Sequence, residues 1–281
     1  MLDTDRKKME SVSSTDTSME TALLCPRRFV ALGDSFTEGF GDIHPFRQGS
    51  FRGWADRVAE VLAQERPDFT YANLAVRGKL LSEIVSEQLE PALAMKPDLV
   101  SFCAGGNDII RPGADPDSLA VRVEDAVSVL QSSGATVLMF AGPDIGARLG
   151  PWGLRGKVAI YNENLRTVAE NHGAILIDLW APRELSRPHM WSPDRLHFSS
   201  AGHEFIAAIV LDLWCIDYIS TPDATNTSID LASRFANDAK WARQYLLPWA
   251  IRRLQGKSSG AGREAKRPTL ARVALDDPDL G

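Results

Sequence analysis

At 281 residues, 44% hydrophobic and 24% charged, the chain is long enough for one large α/β domain or two small ones. The composition excludes collagenous, cysteine-scaffold and wholly disordered classes, and a net charge of −6 argues against nucleic acid as the main partner. Three cysteines (Cys25, Cys103 and Cys215) without CxxC spacing suit neither a disulfide framework nor a zinc site and fit a reducing compartment.

Residues 1–26 are polar, rich in Ser and Thr and without period, and read as a flexible arm. Lys7 and Lys8 are followed by polar and acidic residues instead of the apolar run of a secretory leader. From Arg28 the pattern changes. Phe29-Val30-Ala31-Leu32, ending at Gly33, predicts a buried strand. Residues 51–66 predict a helix with Trp54, Val58, Val61 and Leu62 on one face and Pro67 as its stop. The alternation then repeats: strand 69–75, helix 79–95, strand 98–103, helix 117–132, strand 135–141, helix 158–172, strand 174–179 and helix 200–215. Strands separated by amphipathic helices imply parallel βαβ units with right-handed crossovers, and so one doubly wound α/β domain over residues 27–217.

Residues 218–255 predict a helical extension, with one long helix at 231–254 broken at Pro248, as a candidate surface for association. Residues 256–281 are rich in Gly, Ser and Pro and read as a disordered, solvated tail, with a docking element for an acidic partner as the alternative. Neither 126–143 nor 205–219 is long and apolar enough to span a bilayer, so the expectation is a cytoplasmic protein without a membrane span.

In an open parallel sheet, ligands bind beyond the carboxyl ends of the strands where strand order reverses. Four polar clusters follow the predicted strands: Gly33-Asp34-Ser35, then Asn73 to Gly78, then Gly105-Gly106-Asn107-Asp108, and Asp194-Arg195-Leu196-His197 after an irregular stretch. A serine hydroxyl becomes a useful nucleophile when a base takes its proton, and histidine is the base suited to neutral pH. Its second ring nitrogen needs an acceptor, which Asp194 can supply three residues before His197. Attack creates an oxyanion, for which the Ser35 and Gly78 backbone N–H groups and the Asn107 amide are candidate donors.

Each residue also has a plainer reading. Ser35 can cap a helix, Asp34 can make turn hydrogen bonds, Asn107 and Asp108 can shape a loop, and Asp194 follows Pro193 in a turn. His203, in the first turn of the last helix, reads as structural.

Together the four blocks, in this order, resemble those of the SGNH hydrolase (GDSL esterase/lipase) family over residues 29–210. The resemblance implies a flavodoxin-like three-layer α/β/α sandwich with five parallel strands in the order 2-1-3-4-5. It implies Ser35 as nucleophile, His197 as base and acid, Asp194 as its partner, and an oxyanion hole of Ser35, Gly78 and Asn107. Phe198 departs from the family pattern, in which proline often follows the histidine.

The expected activity is hydrolysis of small-molecule carboxylic esters, short-chain acyl or acetyl, without cofactor or metal. Thioesterase and lysophospholipase activities are the alternatives within the family, and a non-catalytic binding module is the alternative outside it. Asp34, Trp152 and Trp191 are candidate substrate contacts; the two tryptophans either wall an acyl or sugar pocket or pack a loop.

Overall fold

Alternation along the first strand divides the molecule into its layers. In β1 (Arg28–Gly33), Phe29 and Ala31 face one core while Val30 and Leu32 face the other, and all four are wholly buried. A strand covered on both faces belongs in the middle of a parallel sheet. The computed structural model describes residues 26–45, 49–144, 154–218, 243–244, 260 and 262–273.

Strands β2 (Thr70–Asn73), β3 (Leu99–Cys103), β4 (Thr136–Ala141) and β5 (Ile175–Asp178) join β1 in a parallel sheet of order 2-1-3-4-5. Helices α1 (Ser35–Glu38), α2 (Trp54–Glu65), α3 (Leu81–Ala94), α4 (Gly106–Ile109), α5 (Pro116–Ser132), α6 (Leu154–His172) and α7 (Ser200–Asp212) complete the wrap. Helices α3, α5 and α6 cover one face through Leu81, Leu130 and Leu165, and α2 and α7 cover the other through Trp54, Val58 and Ile206. Each such side chain, once buried, contributes roughly 1.5–3 kcal/mol.

Local chemistry marks the helix starts. Asp115 caps α5 by accepting the Asp117 N–H, with Pro116 at the first helical position. Ser199 caps α7 by accepting the Gly202 N–H. Among the described residues no helix is long and apolar enough to cross a membrane.

The sheet departs from the expected five strands. A sixth, β6 (Arg267–Arg272), adds antiparallel to β2 at the edge, within a segment expected to be a disordered tail. Its sequence, Arg-Pro-Thr-Leu-Ala-Arg, has no apolar alternation and carries a proline. Both features belong to an edge strand held by main-chain pairing, and neither signals a strand in sequence. Almost all of the expected arm and extension, at 1–26 and 218–255, lies outside the described residues, as does Trp152.

One buried side chain ties α3 to the end of β1. The Gln88 amide accepts the Gly33 N–H at 2.8 Å and donates to the Gly33 carbonyl at 2.9 Å, one residue before the Asp34-Ser35 pair. Gln88→Ala strands the Gly33 N–H in the core and leaves the Gly33 carbonyl only the Val76 N–H at 3.3 Å, at an expected cost of about 1–3 kcal/mol. Urea unfolding checks this: the midpoint falls while the m-value stays unchanged.

Candidate active site

The carboxyl end of β1 turns directly into α1, and Asp34 makes the turn. Its carboxylate accepts the Phe36 N–H at 3.1 Å as the cap of α1. The capping role considered for Ser35 thus belongs to its neighbour. The Ser35 hydroxyl instead lies 3.0 Å from Nε2 of His197, which comes from 162 residues further along the chain.

His197 stands on a short irregular segment between β5 and α7. An isolated bridge between Trp191 and Phe198 and a bond from the Ser192 N–H to the His197 carbonyl close that segment into a tight loop. Asp194 organises its interior. One carboxylate oxygen accepts from the Ser192 hydroxyl at 2.6 Å and from the Leu196 and His197 N–H groups at 3.0 Å each. The other lies 2.6 Å from Nδ1 of His197. Burial by itself would raise the Asp194 carboxyl, but the hydrogen bond and charge of His197, with the Ser192 bond, hold it well below the usual carboxylate range. The imidazole is therefore oriented from one side by a permanent anion, and its other nitrogen meets the serine.

Two further residues arrive from neighbouring strands. Gly78 follows β2 with φ of 77°, in the left-handed region that a side chain would strain. Asn107 lies on α4 just beyond β3. Its amide nitrogen donates to Asp34 at 2.9 Å and to the Lys79 carbonyl at 3.1 Å. Both partners are acceptors, which decides the orientation of the amide. The structure thus brings Asn107 and Asp34 together and spans the ends of β1, β2 and β3 with one side chain. Asp34 is nearly buried, and burial raises its carboxyl to about 6, against the opposing pull of the Phe36 N–H and the charge of His197.

A cavity of about 200 Å³ opens beside Ser35 and His197. Its walls are largely apolar, with Ile109, Phe140, Val158, Tyr161 and Leu165 among them. Trp191 lines it too, while stacking on Phe198 at 4.4 Å and donating its indole N–H to the Leu185 carbonyl at 2.7 Å. Phe198 packs between Trp191 and Phe36, a filled aromatic position. His203 is fully buried, accepts the Trp54 N–H, and is pushed down to about 3 by burial, so it stays neutral inside the core.

Sequence reasoning missed the cavity walls on α6. Val158, Tyr161 and Leu165 recur at helical spacing, and a face that lines a cavity has the same period as one that fills a core. Phe40 joins the site as well, its ring meeting His197 edge-on at 4.6 Å. That residue follows the α1 turn and belongs to no periodic pattern. A serine, a histidine and a carboxylate in a bonded row, beside an apolar cavity and several donors, can perform acyl transfer through a covalent intermediate.

Residues 31–205 match the model of the GDSL-like lipase/acylhydrolase family. A search of curated proteins finds no match. Among solved structures, the chain is similar to Axe2, an acetylxylan esterase from Geobacillus stearothermophilus, with 19% identity, a TM-score of 0.58, and coverage of 72% of this chain and all of the other. It is similar to LAE5, an alpha/beta hydrolase from the metagenome of Lake Arreo, Spain (21% identity, TM-score 0.58, 69% of this chain and 97% of the other). It is also similar to the psychrotrophic esterase EstA from a Pseudoalteromonas species (17%, 0.54, 66% and 95%).

The raised Asp34 carboxyl makes a signed prediction. The unfolded chain releases this proton near the ordinary value of 3.8, whereas the folded chain keeps it to about 6. The stability it contributes is full below the first value and is lost as pH rises through the second, by on the order of 3 kcal/mol. In chemical denaturation from pH 4 to 7, the stability of wild type relative to Asp34→Asn falls by about that amount. A difference independent of pH refutes it.

Proposed function

The chain belongs to the GDSL-like lipase/acylhydrolase family and is an ester-hydrolysing enzyme, and from that premise we propose that it cleaves small carboxylic esters, short-chain acyl or acetyl, through an acyl-enzyme on Ser35. The observation that carries this reading is the unbroken row from Asp194 through His197 to Ser35, with separations of 2.6 and 3.0 Å.

The Ser35 oxygen attacks the ester carbonyl while its proton passes to Nε2 of His197. Asp194, charged throughout the working pH range, holds the proton on Nδ1 and stabilises the imidazolium as it forms. The oxyanion is taken by the Ser35 and Gly78 N–H groups and by the Asn107 amide, which turns to it one of the two N–H donors that otherwise go to Asp34 and the Lys79 carbonyl. Collapse of the tetrahedral intermediate breaks the bond to the alcohol, which leaves with the proton from His197. Water then enters, gives a proton to His197 and attacks the acyl-enzyme. The acid departs and Ser35 recovers its proton.

The cavity supports a small acyl group. Its volume of about 200 Å³ lies below the roughly 300–1,000 Å³ of pockets for drug-sized ligands, and its apolar walls suit hydrocarbon over a charged group. The likeness to an acetylxylan esterase points the same way.

Labelling with a fluorophosphonate probe, read by intact mass, tests the nucleophile without the natural substrate. Wild type takes up one equivalent, and folded Ser35→Ala and His197→Ala take up none. Asp194→Asn lowers kcat on p-nitrophenyl acetate by about 10³–10⁴-fold, through the wrong tautomer and the lost anion. Labelling that persists in Ser35→Ala, or a folded wild type that does not label, refutes the mechanism.

A further inference from the structure

The family match ends at residue 205, yet a side chain more than sixty residues beyond it reaches the elements that carry the reactive groups. We propose that Lys266 is a positioning residue for the oxyanion hole, acting through the Glu38–Arg77 ion pair. The inference rests on the acyl-enzyme reading of Ser35 given above.

The Lys266 ammonium is largely buried although the residue directly precedes an edge strand. An ammonium has three donors and no acceptor, and here each finds its own acceptor. One goes to the Glu38 carbonyl at 2.5 Å, one to the Phe51 carbonyl at 3.1 Å, and one to the Asp56 carboxylate. These acceptors belong to the last residue of α1, the segment after it, and the first turn of α2. None of them lies on β2, with which β6 pairs. The ammonium therefore does something that strand pairing does not require: it pins the carboxyl end of the four-residue helix that begins at Ser35.

From Glu38 the hold passes to the second candidate donor. The Glu38 carboxylate accepts the Arg77 backbone N–H at 2.8 Å and takes the Arg77 guanidinium in a two-pronged ion pair, with both side chains about nine-tenths buried. The guanidinium is further fixed 4.6 Å from the centres of the Phe40 and Phe51 rings. Arg77 is the residue before Gly78. A buried, charge-assisted and bidentate contact fixes direction as well as distance. Glu38 is thus held by Lys266 on its carbonyl and by Arg77 on its carboxylate, so Ser35 and Gly78 are set relative to one another by one residue between them.

The same C-terminal segment touches this loop independently. Gly260 lies so near the Arg77 carbonyl that a β-carbon there would come within 2.1 Å of it. Two separate residues of one segment thus converge on the Arg77 neighbourhood.

A group that positions donors for charge present only in the transition state affects kcat more than KM. Lys266→Met keeps the length and apolar stem of the side chain and removes all three donors. In the full-length protein it should lower kcat on p-nitrophenyl acetate at least ~10-fold, with KM within ~3-fold and the rate of fluorophosphonate labelling reduced in parallel. Amide exchange read by mass spectrometry should rise in peptides covering 34–40 and 76–79, where the pin acts. Leu270→Ala, which loosens β6 without touching the ammonium's acceptors, should leave kcat per labelled site within ~2-fold. Lys266→Gln, retaining donors and less disruptive to folding, should fall between wild type and Lys266→Met and serves if the latter does not fold.

Unchanged kcat per labelled site in Lys266→Met despite lowered thermal stability, a matching loss in Leu270→Ala, or unchanged exchange at 34–40 and 76–79 overturns the proposal. A folded wild type that neither labels nor hydrolyses esters overturns the acyl-enzyme reading instead, and the exchange measurement then decides by itself whether Lys266 holds these segments.

Discussion

The arrangement of this site depends on the pairing of β1 between β2 and β3. Ala31 lies opposite Asn73 on one side and Ser101 on the other, and Gly33 lies opposite Cys103. That register delivers the ends of three strands to one place and sends the chain out of them through Ser35, Gly78 and Asn107. Main-chain pairing between these strands cannot slip by one residue without sending each β1 side chain into the opposite core. The registry of the strand ends is therefore as firm as the two cores that flank the sheet.

Side chains refine that registry. Gln88 satisfies both backbone groups of Gly33, Asn107 connects Asp34 to the Lys79 carbonyl, and Glu38 grips Arg77. Each is a buried polar contact between segments distant in sequence. Such contacts cost desolvation and repay it only when their geometry is complete. They hold elements of a few residues that have too few internal hydrogen bonds to hold themselves.

Two aspartates at the same sheet edge have opposite environments. Asp194 accepts four hydrogen bonds within one loop and stays anionic. Asp34 is buried beside Ser35 with fewer donors, and its carboxyl is raised to about 6. Environments that drive the pKa values of like groups apart give them separate tasks. One suits a permanent partner for an imidazole, the other a cap and an anchor for the Asn107 amide.

The sequence by itself determined the five parallel strands, their order through the family resemblance, and a short set of polar residues after the strand ends. Those features are legible because they are local: period-two and helical alternation, strand-end glycines, and a histidine three residues after an aspartate. Trp191 shows where that reach ends. Its identity suggests a substrate wall or a packed loop, and the structure stacks it on Phe198 while it also lines the cavity. Only the tertiary structure decided that Asp34, and not Ser35, caps α1, that Asn107 is bonded to Asp34, and that the face of α6 bounding Leu165 lines a cavity. It also decided that Arg267–Arg272 is a strand and that Lys266 reaches Glu38, Phe51 and Asp56. The physical reason is shared by all of these: an edge strand is held by backbone groups that every sequence possesses, and a bond between residues 228 positions apart leaves no period or spacing in the chain.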